Sequence, residues 1–188
     1  MRPTLRAVVL VEGESDRVAL LTLARRRGRD LADEGVEVVA MGGITNTRAF
    51  ATRYGPRGLG LQLAGLYDAP DEAKVRRGLA AAGVVAVSGG LPDLGFFGCS
   101  EDLEDELVRA LGVAAVEAVI EAAGESHSLQ LLAGMPVQRA WPREAVLRRF
   151  LGVRSGRKAR YAALLVEALP PDRAPEPLES LLRFLAPA

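Results

Sequence analysis

The sequence predicts an α/β fold, a mainly parallel sheet flanked by helices, with a helical extension behind it. Three observations predict this. Strand-like and helical patterns alternate over the first two-thirds of the chain. The strand-like segments are short and almost wholly apolar, as strands buried on both faces must be. Beyond Leu111 only helical patterns remain. The expected division is a core over residues 1–112 and a helical extension over 113–188, packed on the core and carrying Lys158. A length of 188 residues and an apolar fraction of 49% suit one such domain and exclude a disordered chain.

Residues 6–11 (RAVVLV) form the first expected strand, and Glu14–Arg27 is the helix after it, with Gly28 near its end. Val36–Met41 (VEVVAM) is a second strand, followed by Gly42-Gly43 and a helix from Thr45 to Tyr54. Leu59–Tyr67 is a third strand. Pro70 then suits the first turn of a helix running to Ala82. Val84–Val87 offers a further short strand, Leu94–Cys99 a fourth full one, and Glu101–Leu111 a helix. In the extension, 114–123, 128–132, 143–150, 158–169 and 178–185 read as helices. The Pro-rich stretch 170–177 (PPDRAPEP) reads as a loop before the last of them. Alternating strands and helices imply a parallel sheet covered on both faces.

Composition excludes several classes. No apolar run approaches the roughly 20 residues of a membrane span. The apolar stretch before Glu12 is too short for a secretory signal. Cys99 is the single cysteine, so no internal disulfide forms. A cytoplasmic location is therefore the expectation. The formal net charge is zero, which argues against coating nucleic acid by charge alone. The charge is segregated, however. Residues 101–106 (EDLEDE) hold five acids, whereas 139–160 hold Arg139, Arg143, Arg148, Arg149, Arg154, Arg157, Lys158 and Arg160 against Glu144 alone. Such a run makes either an anion-attracting face or a solvated helix surface.

Ligands of open α/β sheets bind beyond the carboxyl ends of the strands. The first strand ends at Glu12-Gly13, the second at Gly42-Gly43 and the third at Asp68, and the fourth runs into EDLEDE. Carboxylates gathered at one sheet edge need a cation or raised pKa values. Oxygen-only ligands suit magnesium or manganese. At about 100° per residue, Asp16 shares a helix face with Leu20, Leu23 and Ala24, and Glu104 shares one with Leu107, Val108 and Leu111. Lys158 likewise shares a face with Tyr161, Ala162 and Leu165. A charge on an apolar face is costly unless paired or metal-bound. Lys74 and Lys158 are the only lysines among 24 basic residues, so a compact ammonium is retained at 158 in a chain that otherwise uses arginine. A snorkelling stem is the alternative reading of Lys158. Asp71, Glu72, Glu101 and Asp102 stand where helix N-termini favour acids in any case. His127 reads as a surface residue and Cys99 as a packed one.

VEGESD (11–16), the Gly42-Gly43 turn, YDAPD (67–71) and SEDLED (100–105) resemble a Toprim domain. With GRKARYAALL (156–165), the chain most resembles the OLD-type (overcoming lysogenization defect) endonucleases, over about residues 6–170. The resemblance implies metal binding by Glu12, Asp16, Asp68 and Glu104, with Glu12 and the late Lys158 in catalytic roles. It implies two Mg2+ or Mn2+ ions and DNA as substrate, and the arginine run read above then offers Arg148, Arg149, Arg154 and Arg157 to grip the backbone. Asp71 is the candidate for the second acid of the family's D-x-D, though here it comes one residue late. OLD proteins also begin with an ABC-type ATPase. The nearest thing to a P-loop here, 152–158 (GVRSGRK), has the wrong glycine spacing, so ATP hydrolysis is not expected of these residues.

The leading reading is a metal-dependent phosphodiester hydrolase, a DNA endonuclease or nickase. The alternative is a non-catalytic Toprim module that binds nucleic acid or docks on a separate ATPase. A receiver-type phospho-acceptor domain is a third reading, which the Glu12-Gly13 start and the acidic fourth helix fit poorly. DNA is the expected partner, no membrane is, and the oligomeric state is left open.

Overall fold

The computed structural model describes residues 4–86, 89–152 and 156–186. Four strands build one sheet: β1 (Ala7–Val11), β2 (Val36–Ala40), β3 (Gln62–Asp68) and β4 (Phe96–Cys99). Their order is β2-β1-β3-β4 and every pairing is parallel. The registers pair Leu10 with Gly65 and Asp68 with Cys99, so the carboxyl ends of β1, β3 and β4 share one edge. Gly65 is required for this approach. A Cβ there would meet the Leu10 carbonyl oxygen at 2.5 Å and the Phe96 ring at 2.6 Å.

Side chains alternate across the sheet with the strand period of two. Val8, Leu10 and Tyr67 face α2 (Thr47–Tyr54) and α3 (Glu72–Ala81), where Ala51, Tyr54, Val75 and Leu79 complete a smaller core. Ala7, Val9 and Val11 face α1 (Glu14–Arg26). That second core also takes in α4 (Leu103–Leu111), α5 (Val113–Ala122), α6 (Ser126–Gly134), α7 (Arg143–Gly152), α8 (Arg157–Ala168) and α9 (Glu176–Phe184). Leu20 and Leu23 of α1 are buried in it with Tyr161 and Leu165 of α8 and Leu181 of α9. The helices beyond residue 112 thus share one apolar core with the sheet.

Arginines fasten the helix ends to the core. Arg26 donates to the Leu169 carbonyl at 2.8 Å, just past α8, and Arg6 donates to the Leu185 carbonyl at 2.6 Å, just past α9. Each satisfies an acceptor that a helix C-terminus leaves open. These two arginines are therefore structural.

Several boundaries differ from the sequence expectation. β3 starts at Gln62 because residues 55–60 form turns. β4 starts at Phe96, after a 3₁₀ turn over Leu91–Leu94. α4 starts at Leu103 because Asp102 caps it, its side chain accepting from the Asp105 N–H at 2.7 Å. The strand expected over 84–87 is absent at 84–86, and Val87 lies outside the described residues. Among the described residues no helix is long and apolar enough to cross a membrane.

Candidate metal centre

The carboxyl edge of the sheet opens into a cleft of about 360 Å³ lined by Glu12, Asp16, Asp68, Asp102, Glu104 and Lys158. Each acid reaches it for a local reason. Glu12 follows β1 directly, and its carbonyl accepts from the N–H groups of Gly42 (3.0 Å) and Gly43 (3.2 Å). Both glycines have positive φ, 72° and 131°. The Gly-Gly turn therefore clamps the backbone that carries Glu12. Asp16 stands in the first turn of α1, where its Oδ2 accepts from the Gly13 N–H at 2.8 Å. That bond satisfies one of the open donors of the helix N-terminus. Asp68 ends β3, and Glu104 lies in the first turn of α4.

The electrostatics show crowding. Burial raises the Asp16 carboxyl to about 6, against the opposing pull of the Gly13 N–H, with Glu104 and Glu12 adding to the rise. Burial likewise raises Asp68 to about 7, helped by the charges of Asp16 and Glu12. Glu104 is 7% exposed. Its Oε2 accepts from Lys158 Nζ at 3.2 Å, whereas its Oε1 is buried without a hydrogen-bond partner. Burial pulls the Lys158 ammonium down, but the charge and hydrogen bond of Glu104 outweigh it and the net shift is upward.

These residues fit a hard divalent cation. The donors are all oxygens, one buried carboxylate oxygen lacks a partner, and the neighbouring acids are held back from ionising. The carboxylates line the cleft without closing on a single point. Among the described residues no three acidic, histidine or cysteine side chains form a ready metal-binding group.

Residues 5–69 match the family model of the Toprim domain of overcoming lysogenization defect protein-like proteins. Over these residues the chain is similar to an OLD-type Toprim domain. Solved structures agree over nearly its whole length. The C-terminal region of the Burkholderia pseudomallei OLD protein is 23% identical, with a TM-score of 0.68 over 97% of this chain and 98% of that one. Two structures of the C-terminal region of the Xanthomonas campestris pv. campestris OLD protein are 24% and 26% identical, with TM-scores of 0.67 and 0.64. They cover 96% of this chain and 93% and 94% of theirs. No curated protein matches the chain. Toprim domains of this type are metal-binding modules of nucleic-acid processing.

Not every residue expected at the OLD-type Toprim site is there. Asp71 is outside the cleft, paired with Lys74 in the first turn of α3. The extra residue before it rotates the acid away from Asp68. Lys158 lies at the rim, its side chain 50% exposed, rather than on the buried face of α8. The buried basic residue is Arg157, with a side chain 7% exposed. Its guanidinium lies 4.1 Å from the Phe150 ring centroid and donates to Glu125 and to the Phe150 carbonyl. Arg157 is therefore a structural anchor and not part of a DNA-gripping surface. Arg148 is tied to Asp102 at 3.1 Å and Asp105 at 3.3 Å. Arg149 is exposed, and Arg154 lies outside the described residues. One cleft residue escaped the sequence reading: Asp102 was legible as a helix cap but not as a cleft wall.

Proposed function

We propose that this OLD-type Toprim domain is a magnesium- or manganese-dependent phosphodiester hydrolase acting on DNA. The carrying observation is Glu104. It is a nearly buried carboxylate with one oxygen on Lys158 and the other unpartnered, in a cleft shared with Glu12, Asp16 and Asp68. Glu12, Asp68 and Glu104 would hold metal, and Asp16 would complete a second position. Bound divalent ions supply Lewis-acid stabilisation of the attacking and leaving oxygens of a displacement at phosphorus.

The chain's own residues divide the remaining work. The Gly42-Gly43 clamp fixes the backbone of Glu12, so its carboxylate is presented without a search. Asp16 keeps one oxygen on the Gly13 N–H, which fixes its orientation. Lys158 is half exposed and can exchange Glu104 for a phosphate oxygen, where its charge offsets charge developing in the transition state. Burial of Glu104 keeps water from competing for its oxygens. The proposal includes a cytoplasmic location and action with or without a separate ATPase.

One observation favours a second reading, a Toprim module that binds nucleic acid without cutting it. The acid that would complete the family's D-x-D, Asp71, is committed to Lys74. Supercoiled plasmid incubated with magnesium, manganese or calcium decides between them. Nicking or linearisation that disappears in Glu12→Gln and Asp68→Asn supports hydrolysis. Retention of plasmid without cleavage in any of the metals supports the binding module.

A further inference from the structure

A second cleft opens beside the carboxylate cleft and shares Asp102, Glu104 and Lys158 with it. Its far wall is a stripe along α7 and the turn before it: Trp141, Ala145, Arg148, Arg149 and Gly152. The spacing of three to four residues places Ala145, Arg148, Arg149 and Gly152 on one face of α7, and Trp141 stands in the bend before the helix. The wall has a definite chemistry. Trp141 is 39% exposed, an unusual exposure for the chain's single tryptophan. Ala145 and Gly152 are small and leave the groove open. A Cβ on Gly152 would stand 3.6 Å from the Lys158 Cε, so the lysine stem closes one end. Arg149 is exposed and, among the described residues, makes no ion pair.

An aromatic face flanked by arginine and lysine, next to a site for phosphate chemistry, suits a nucleotide. Aromatic side chains stack any base, and basic groups hold the adjoining backbone. We propose that the Trp141 cleft holds one unpaired nucleobase flanking the phosphodiester at the carboxylate cleft, stacked on Trp141 with Arg149 on the backbone phosphate. The inference rests on the nuclease reading for its substrate class. It adds that the preferred substrate presents single-stranded or frayed DNA at this position. A base paired within a duplex has its faces covered by its neighbours and cannot offer one to the indole.

The sole tryptophan makes the test direct. Trp141 fluorescence of the full chain is titrated with a short single-stranded thymidine oligonucleotide, an abasic strand of equal length and a blunt duplex, at low salt. The base-bearing strand quenches Trp141, whereas the abasic strand and the duplex do so far less. Read by the anisotropy of a dye-labelled strand, Trp141→Ala weakens binding of the base-bearing strand by about tenfold or more, and Trp141→Phe restores part of it. Arg149→Ala reduces the salt dependence of binding for both single strands. Equal quenching by the abasic strand, or unchanged affinity in Trp141→Ala, overturns the proposal. So does a change in Trp141 fluorescence with protein concentration alone, accompanied by dimer formation, because the face would then pair copies of the chain. Quenching without metal-dependent cleavage keeps this subsite and refutes hydrolysis. Cleavage without quenching does the reverse.

Discussion

Replacing Asp16 with Asn should stabilise the metal-free protein at alkaline pH and leave it unchanged at acid pH. Burial raises the Asp16 carboxyl from 3.8 to about 6. The native state therefore holds this proton more tightly than the unfolded chain does. Between those values the native state binds more protons, so stability falls as pH rises and the loss is complete above about pH 6. A difference of about 2 pH units corresponds to about 3 kcal/mol at 1.36 kcal/mol per unit. Coupling to Glu12 and Glu104 and local relaxation bring the working figure to about 1–3 kcal/mol. Asn carries no charge but keeps an oxygen for the Gly13 N–H, so the helix start is retained. For a chain of this length each kcal/mol moves Tm by roughly 2–4 °C. Thermal unfolding in chelator should then show Asp16→Asn higher by roughly 5 °C at pH 8 and level with the parent at pH 4. An equal or lower Tm at pH 8 would mean that the carboxylate is welcome where it stands, as an ordinary helix cap, and the argument from burial would fail.

Other outcomes follow from the same geometry. Lys158→Met should cut turnover about a hundredfold, near 2.7 kcal/mol, with little change in DNA affinity, as single-turnover kinetics would show. Full activity would remove the lysine from the reaction. Arg157→Met should lower stability in urea by about 1–2 kcal/mol, because the guanidinium loses its place over Phe150 and its bond to the Phe150 carbonyl while Glu125 keeps Arg160. DNA affinity of the folded protein should not change, and a loss there at intact stability would return Arg157 to the binding surface. Asp71→Asn should leave cleavage within a few-fold of the parent, since its carboxylate faces Lys74. A loss as complete as that in Asp68→Asn would make it a ligand.

The sheet was legible because its strands carry the simplest signal, short apolar runs ending in glycine or acid. Glu12 and Asp68 could be placed from that signal alone, since parallel strands bring their carboxyl ends to one edge. Asp16 and Glu104 were legible as carboxylates on apolar helix faces. Periodicity failed at α8, where Lys158 and Arg157 are neighbours. Helical spacing put Lys158 with Tyr161 and Leu165, but the first turn of α8 instead buries Arg157 against Phe150. The pairing that decides this joins α8 to Glu125, 32 residues away, and to Phe150 across the break between α7 and α8, and no helical period records it. The arginine run misled for the same reason. Arg148 and Arg157 look like free charge in sequence, yet tertiary contacts assign them to Asp102 and Glu125. The role of Asp102 as a cleft wall and that of Trp141 as its neighbour's face likewise depend on how α4 and α7 pack.

Calorimetric titration of manganese into the metal-free protein at pH 8, for the parent and Glu104→Gln, tests the central claim most directly. The account predicts binding by the parent that weakens below about pH 7, as Asp68 and Asp16 take up protons that a cation must displace. It predicts a loss of affinity of tenfold or more in Glu104→Gln, on the order of 1.4 kcal/mol or above. Binding by the parent that is indifferent to both pH and Glu104, or no binding at millimolar manganese, would contradict a metal centre in this cleft.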